Sequence, residues 1–343
     1  MIQCNRDILA AITIACCLGL IGCDETEQTT PLPTERELSA SDSFDASIRN
    51  NPQDPAVYAA RAEFKLSEGD TAGALEDWSL ALRADSNYAP AWEMQAEVLY
   101  QLRQFEPCLE KLEGCLQRFP DDVACLMRRA EFAIHLNQFE EAFDWLNSAL
   151  RVDDQLHEAY WMKGRIYETT GALEKAQSSY QTAVEVNPDF FDGFIALGIL
   201  LASQQNPLAE EYYQSAMELR PQAVEPLYNL AIFLQDSNRH REALNLYERI
   251  LILDSQNATA SFNQGYIHLE YLQSYDSAAY WFSEAIERLP YYHQAFYNRG
   301  LARESMGQVQ IALEDYTEAL RLKPDYTAAA KAKGRALKSN KGS

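Results

Sequence analysis

The chain has 343 residues, 51 of them acidic and 29 basic, for a formal charge of −22 at pH 7. That excess excludes a nucleic-acid surface, because phosphates demand cations, and it keeps the protein off anionic headgroups unless something else holds it there. The length is ample for a sizeable core.

Residues 1–22 open with Arg6 and Asp7, run apolar from Ile8 to Gly22 and stop at Cys23, where hydrophilic sequence begins. A run of fifteen is too short to prefer a spanning helix, which needs about 20 residues, and it reads as a signal peptide. Its end, Leu20-Ile21-Gly22-Cys23, resembles the lipobox of bacterial lipoproteins. The resemblance implies cleavage before Cys23, lipidation of that cysteine, and a lipid-anchored protein of the bacterial cell envelope. Acyl chains together hold a protein where one alone is marginal. Removing residues 1–22 deletes one arginine and one aspartate, so the charge of −22 persists.

Residues 23–35 are acidic, polar and proline-containing and read as a linker. Residues 36–54 are expected to form a capping helix. Their Ala40, Phe44 and Pro52 keep the small, large and proline spacing that recurs beyond Pro55.

From Pro55 onward a frame of thirty-four residues repeats, giving units 55–88, 89–122, 123–156, 157–190, 191–223, 224–257, 258–292 and 293–326. The fifth is one residue short near 203–207 and the seventh one long near 272–277, both where a turn absorbs the change. The eighth position holds only alanine or glycine, from Ala62 to Gly300. The twentieth is small, from Ala74 to Ala312, and the twenty-fourth is large: Trp78, Leu112, Leu146, Tyr180, Tyr213, Tyr247, Phe282 and Tyr316. Spacings of three and four put these residues on facing sides of two helices. Pro120, Pro188, Pro221, Pro290 and Pro324 close five units, since proline ends a helix.

This pattern resembles the tetratricopeptide repeat, a 34-residue helix-turn-helix with large, small, aromatic and proline positions as quoted. The resemblance implies an all-α solenoid, an α-α superhelix of eight units. Residues 327–343 would add a basic capping helix and tail, with Gly334 and Leu337 at the eighth and eleventh positions and Lys331, Lys333, Arg335 and Lys338 solvated.

Of seven cysteines, Cys4, Cys16 and Cys17 leave with the signal and Cys23 takes lipid. Cys108, Cys115 and Cys125 remain as small packed side chains, or as a disulfide from Cys125 to either of the others. No pair has zinc-site spacing, and neither metal nor cofactor is expected. His135, His157, His240, His268 and His293 are scattered over separate units, and no nucleophile motif or glycine-rich loop stands out, so the reading is non-enzymatic.

In the family the first helix of each unit lines a concave groove, with ligand contacts from positions two, five, nine, twelve and thirteen. Carried onto this chain, these give Tyr100, Met127, Trp161, Ile195, Ile199, Tyr228, Ile232, Phe262, Tyr266 and Tyr297 as apolar anchors. Among them stand Glu63, Glu93, Glu97, Glu131, Glu158, Asp192 and Glu225, with Arg165 as the one cation at those positions. Asn229, Asn263 and Asn298 recur at the sixth position and resemble the asparagine ladder of O-linked sugar transferases. The expectation is a membrane-tethered adaptor or scaffold that binds a basic or apolar protein segment in its groove and serves assembly of an envelope machine. The alternative is glycan capture, with Trp161, Tyr228, Tyr266 and Tyr297 as stacking platforms. The expected membrane contact is through lipid alone; a small-molecule ligand is not expected.

Overall fold

The structure, a computed structural model, describes residues 40–341. The expected signal, the Cys23 lipobox and the linker lie outside the described residues. Within them the chain is helical throughout. Helix α1 (Ala40–Asn50) is followed by α2 (Pro55–Ser67) and α3 (Thr71–Ala84), α4 (Ala89–Gln101) and α5 (Phe105–Arg118), and α6 (Val123–His135) and α7 (Phe139–Val152). Next come α8 (His157–Thr169) and α9 (Leu173–Val186), α10 (Phe191–Ser203) and α11 (Ala209–Leu219), and α12 (Val224–Asp236) and α13 (His240–Leu253). The series closes with α14 (Ala258–Glu270) and α15 (Tyr275–Arg288), α16 (His293–Ser305) and α17 (Val309–Leu322), and α18 (Thr327–Lys341). No helix among the described residues is long and apolar enough to cross a membrane.

Local chemistry sets the helix ends. Asp54, Asp70, Asp122 and Asn257 each accept a backbone N–H of the helix they open, satisfying a donor that has no intrahelical partner. The turn inside each unit needs one residue in left-handed geometry. Gly69, Gly171 and Gly307 supply it without strain, and Asn137 and Asn238 supply it at little cost. Arg103 (φ 58°), Gln205 (φ 54°) and Gln273 (φ 51°) adopt it with an L side chain, at a steric cost. The one-residue deletion in the fifth unit shortens α11 to 11 residues, against 14 in every other second helix of a unit. There Asn206 accepts from the Leu208 N–H at 3.1 Å, and loop replaces the first helical turn.

Each helix packs on its neighbours in sequence, and successive first helices also touch, α4 with α6, α6 with α8 and α10 with α12. First helices therefore line one wall of the superhelix and second helices form the other. The core is a seam between them. Trp78, Tyr180, Tyr213, Tyr247, Phe282 and Tyr316 are fully buried along it. A Cβ added to Gly164 would stand 2.4 Å from the Tyr180 ring, and one on Gly300 would stand 2.6 Å from Tyr316. Those rings need the eighth position small, which is why the sequence never places a larger residue there.

Ion pairs brace the first and last units. Asp77, 1% exposed, receives Arg61 at 2.6 Å and Lys65 at 2.8 Å. Asp315, 3% exposed, receives Arg299 at 2.7 Å and Arg303 at 2.8 Å. Burial by itself would raise the Asp77 carboxyl, but its two cationic partners outweigh that and hold it below the ordinary range.

Candidate partner-binding groove

The wall of first helices is not uniform along its length. Between α4, α6 and α8 lies a cavity of about 540 Å³, lined by Glu93, Glu97, Met127, Arg128, Glu131 and Met162 among others. Farther along, Trp161, Arg165, Asp192, Ile195, Ile199 and Glu225 converge from α8, α10 and α12 around about 380 Å³. Ile199 also borders a third cavity of about 510 Å³, with Asn229, Ile232 and Asp236. A broken trough thus runs from the second unit to the sixth.

Its electrostatics follow from crowding. The Glu93 carboxyl is pushed up to about 7, first by burial and then by the facing Asp122 carboxylate. Glu225 is raised by burial and by Asp192, and Arg220 offsets part of that rise. Arg128 pairs with both Glu97 and Glu131 and lies 4.7 Å from the Tyr100 ring centroid. Arg165 stacks on Trp161 at 4.8 Å, and the Trp161 Nε1–H is buried without an acceptor. A cation entering the trough would meet carboxylates that burial has left short of positive partners.

Units six to eight differ. Asn263 donates to the Tyr228 hydroxyl at 3.5 Å, and Tyr228 lies edge-on to Tyr247 at 6.3 Å. Phe262 stacks on Tyr292 at 4.9 Å and on Tyr266 at 6.4 Å, and Tyr297 packs between Tyr316 and Tyr326. Phe262, Tyr266 and Tyr297, expected as apolar anchors, are engaged with other rings, as Trp161 is with Phe190 and Tyr100 with His135. Asn298, 8% exposed, lies in the wall. Asn229 borders a cavity and Asn263 holds Tyr228, so the three asparagines do not share one environment. Ile195 borders its cavity but is only 6% exposed, because the glycine and alanine rows draw the helices together.

The sequence reading missed Arg128, which sits at the sixth position and reaches into the groove across a unit boundary. It also left the cysteine pairing open. Cys115 and Cys125 are joined, tying α5 to α6 at the wall of the largest of these three cavities, and Cys108 remains a buried thiol that donates to the Ala96 carbonyl at 3.3 Å. Burial pushes that thiol up to about 11. Asp122 stands beside the two joined sulfurs, which are thereby withdrawn from metal ligation.

Models of the tetratricopeptide repeat match residues 93–157, 157–190, 228–293 and 293–326, more than half of the chain. Protein FlbA of Caulobacter vibrioides is 27% identical over 62% of this chain and 36% of its own length. Protein O-mannosyl-transferase TMTC3 of Homo sapiens is 25% identical over 68% of this chain and 24% of its own length. Type IV pilus assembly protein PilF of Pseudomonas aeruginosa is 30% identical over 29% of this chain and 38% of its own length. The chain spans well under half the length of these curated relatives.

Proposed function

The chain belongs to the tetratricopeptide repeat family, and from that premise we propose that it is a non-catalytic scaffold that grips a basic protein segment along units two to six. The observation that carries this reading is the convergence of Trp161, Arg165, Asp192, Ile195, Ile199 and Glu225 from three units around one open cavity. An aromatic anchor beside acids suits a chain with lysine or arginine between apolar residues. Desolvated carboxylates gain when a cation arrives. The chain's negative charge would speed encounter with such a segment, an effect that salt weakens.

We further place the protein at the bacterial envelope, tethered through Cys23, with an assembly role of the kind that PilF's name describes for that protein. Glycan capture draws less support, because Tyr228, Tyr266 and Tyr297 among its expected platforms pack against other rings.

Capture from envelope extract tests the reading. The wild-type chain should retain a stoichiometric protein, and the Trp161→Ala, Glu225→Gln pair should lose it while keeping its helical signal. Retention of that protein at wild-type affinity by the double variant removes the groove assignment.

A further inference from the structure

The two ends of the solenoid are unlike its middle in complementary ways. In six of the eight complete units a ring holds the twenty-fourth position opposite the small eighth position, and Leu112 and Leu146 hold it in the other two. An added Cβ would stand 2.4, 2.5, 2.9 and 2.6 Å from ring atoms at Gly164, Gly198, Gly265 and Gly300. Gly334 holds that position on α18, and a Cβ there meets nothing within 4 Å. Beside it Leu337, at the eleventh position, is 43% exposed, whereas Leu99, Leu201 and Leu234 at the same position are buried. Ala329, Ala332 and Ala336 are buried on α18's other side. Helix α18 is therefore a first helix whose second-helix face is uncovered by any of the described residues.

At the opposite end α1 is a second helix with no first helix before it among the described residues. Its Asp45, at the twenty-fifth position, reaches forward to Arg61 at 2.6 Å. Ser79 meets Gln95 at 2.6 Å and Ser283 meets Arg299 at 3.0 Å in the same relation. Helix α1 is thus docked onto the following unit as second helices are throughout. Phe44 stands at its twenty-fourth position, the place of the ring that covers glycine elsewhere.

Charge matches shape. Helix α18 carries five basic residues and no acid, while residues 24–50, through the end of α1, hold seven acids against Arg36 and Arg49. Arg335 is engaged by Glu304, and Lys331 and Lys338 remain exposed on α18.

We propose that copies of this chain join head to tail, Phe44 of one copy seating on Gly334 of another, so that α18 and α1 complete a ninth unit across the junction. In complete units the fifth position lies beside the ring of the twenty-fourth, as Phe262 does by Phe282 at 5.4 Å and Tyr297 by Tyr316 at 6.1 Å. Lys331 holds the fifth position of α18, which places its ammonium beside Phe44 of the neighbouring copy, a favourable cation–ring contact. The contact uses different surfaces on each copy, so it extends into a chain rather than closing as a pair. It does not rest on the groove reading.

Sedimentation velocity of the full chain over about a hundredfold range of concentration tests it, across the micromolar affinities usual for modest interfaces. The wild type should sediment faster as concentration rises. Gly334→Leu places its side chain in open space in an isolated copy and favours helix, so folding and melting are kept. Across the junction it occupies the place of the ring, and it should weaken association by at least about tenfold. As a second arm, a Gly334→Cys copy mixed with a Phe44→Cys copy should give a disulfide-linked dimer on oxidation. A wild type that sediments as one species throughout, a Gly334→Leu chain that associates like wild type, or a cysteine mixture that stays monomeric overturns the proposal.

Discussion

Units two to four and units seven and eight share one frame and differ in what the frame encloses. In the former, Glu93, Glu97, Glu131 and Met127 surround about 540 Å³ of open space. In the latter, Phe262, Tyr266, Tyr292 and Tyr297 pack on neighbouring rings. Positions five and nine decide the outcome. Carboxylates bridged by Arg128 and flexible side chains leave a trough, whereas rings one helical turn apart satisfy one another. Sharing the frame is therefore not sharing the surroundings: the acidic stretch, our proposed partner surface, leaves open space, and the aromatic stretch packs ring on ring.

The largest expected effect separates the two. Phe282→Ala should cost about 3–5 kcal/mol of local stability, the usual range for a buried ring. Hydrogen exchange by mass spectrometry would show this as lost protection in α14 to α17. Partner affinity at units two to six should change by less than about twofold, since distant sites act independently. Equal loss at both places would erase the distinction between the regions.

A smaller effect sharpens it. The Glu93 carboxyl moves from an ordinary 4.5 up to about 7 on folding, so the folded chain holds more protons between those values. Stability at that unit is then greatest below the lower value and is lost as pH rises toward about 7. Glu93→Gln should flatten this slope in urea melts at stepped pH. The aromatic stretch should show no change on the same substitution, and a slope that survives in the variant would reassign the proton.

The smallest effect tests what the regions have in common. Arg103 lies in the acidic stretch and Gln273 in the aromatic one, and both are held left-handed at the turn inside their unit. Arg103→Gly and Gln273→Gly should each stabilise by about 1 kcal/mol, because an L side chain costs roughly that much there and glycine does not. Unequal gains would mean that the turns are not equivalent.

The spacing of small and large residues made the helices and the superhelix legible, because Gly164 against Tyr180 is a steric demand that only certain residue pairs meet. The cysteine pairing was left open although Cys108 and Cys115 sit on one helix. Cys108 turns toward the Ala96 carbonyl in its own unit, and Cys115 faces the unit after it. Which groove residues stand free was illegible for a different reason. Phe262 and Tyr292 lie at opposite ends of the seventh unit, a full helix apart in sequence, and stack only once that unit has folded back on itself. Arg128 was missed because its guanidinium reaches Glu97 on the preceding unit, a contact that positions counted within one unit do not reveal.

The most direct measurement is hydrogen exchange of the full chain with and without a peptide alternating lysine and leucine. Protection should rise in α4, α6, α8, α10 and α12, fade as salt is raised, and leave α14 and α16 unchanged. Protection confined to α14 and α16, or none at any peptide concentration, would contradict the assignment of the acidic trough as the partner surface.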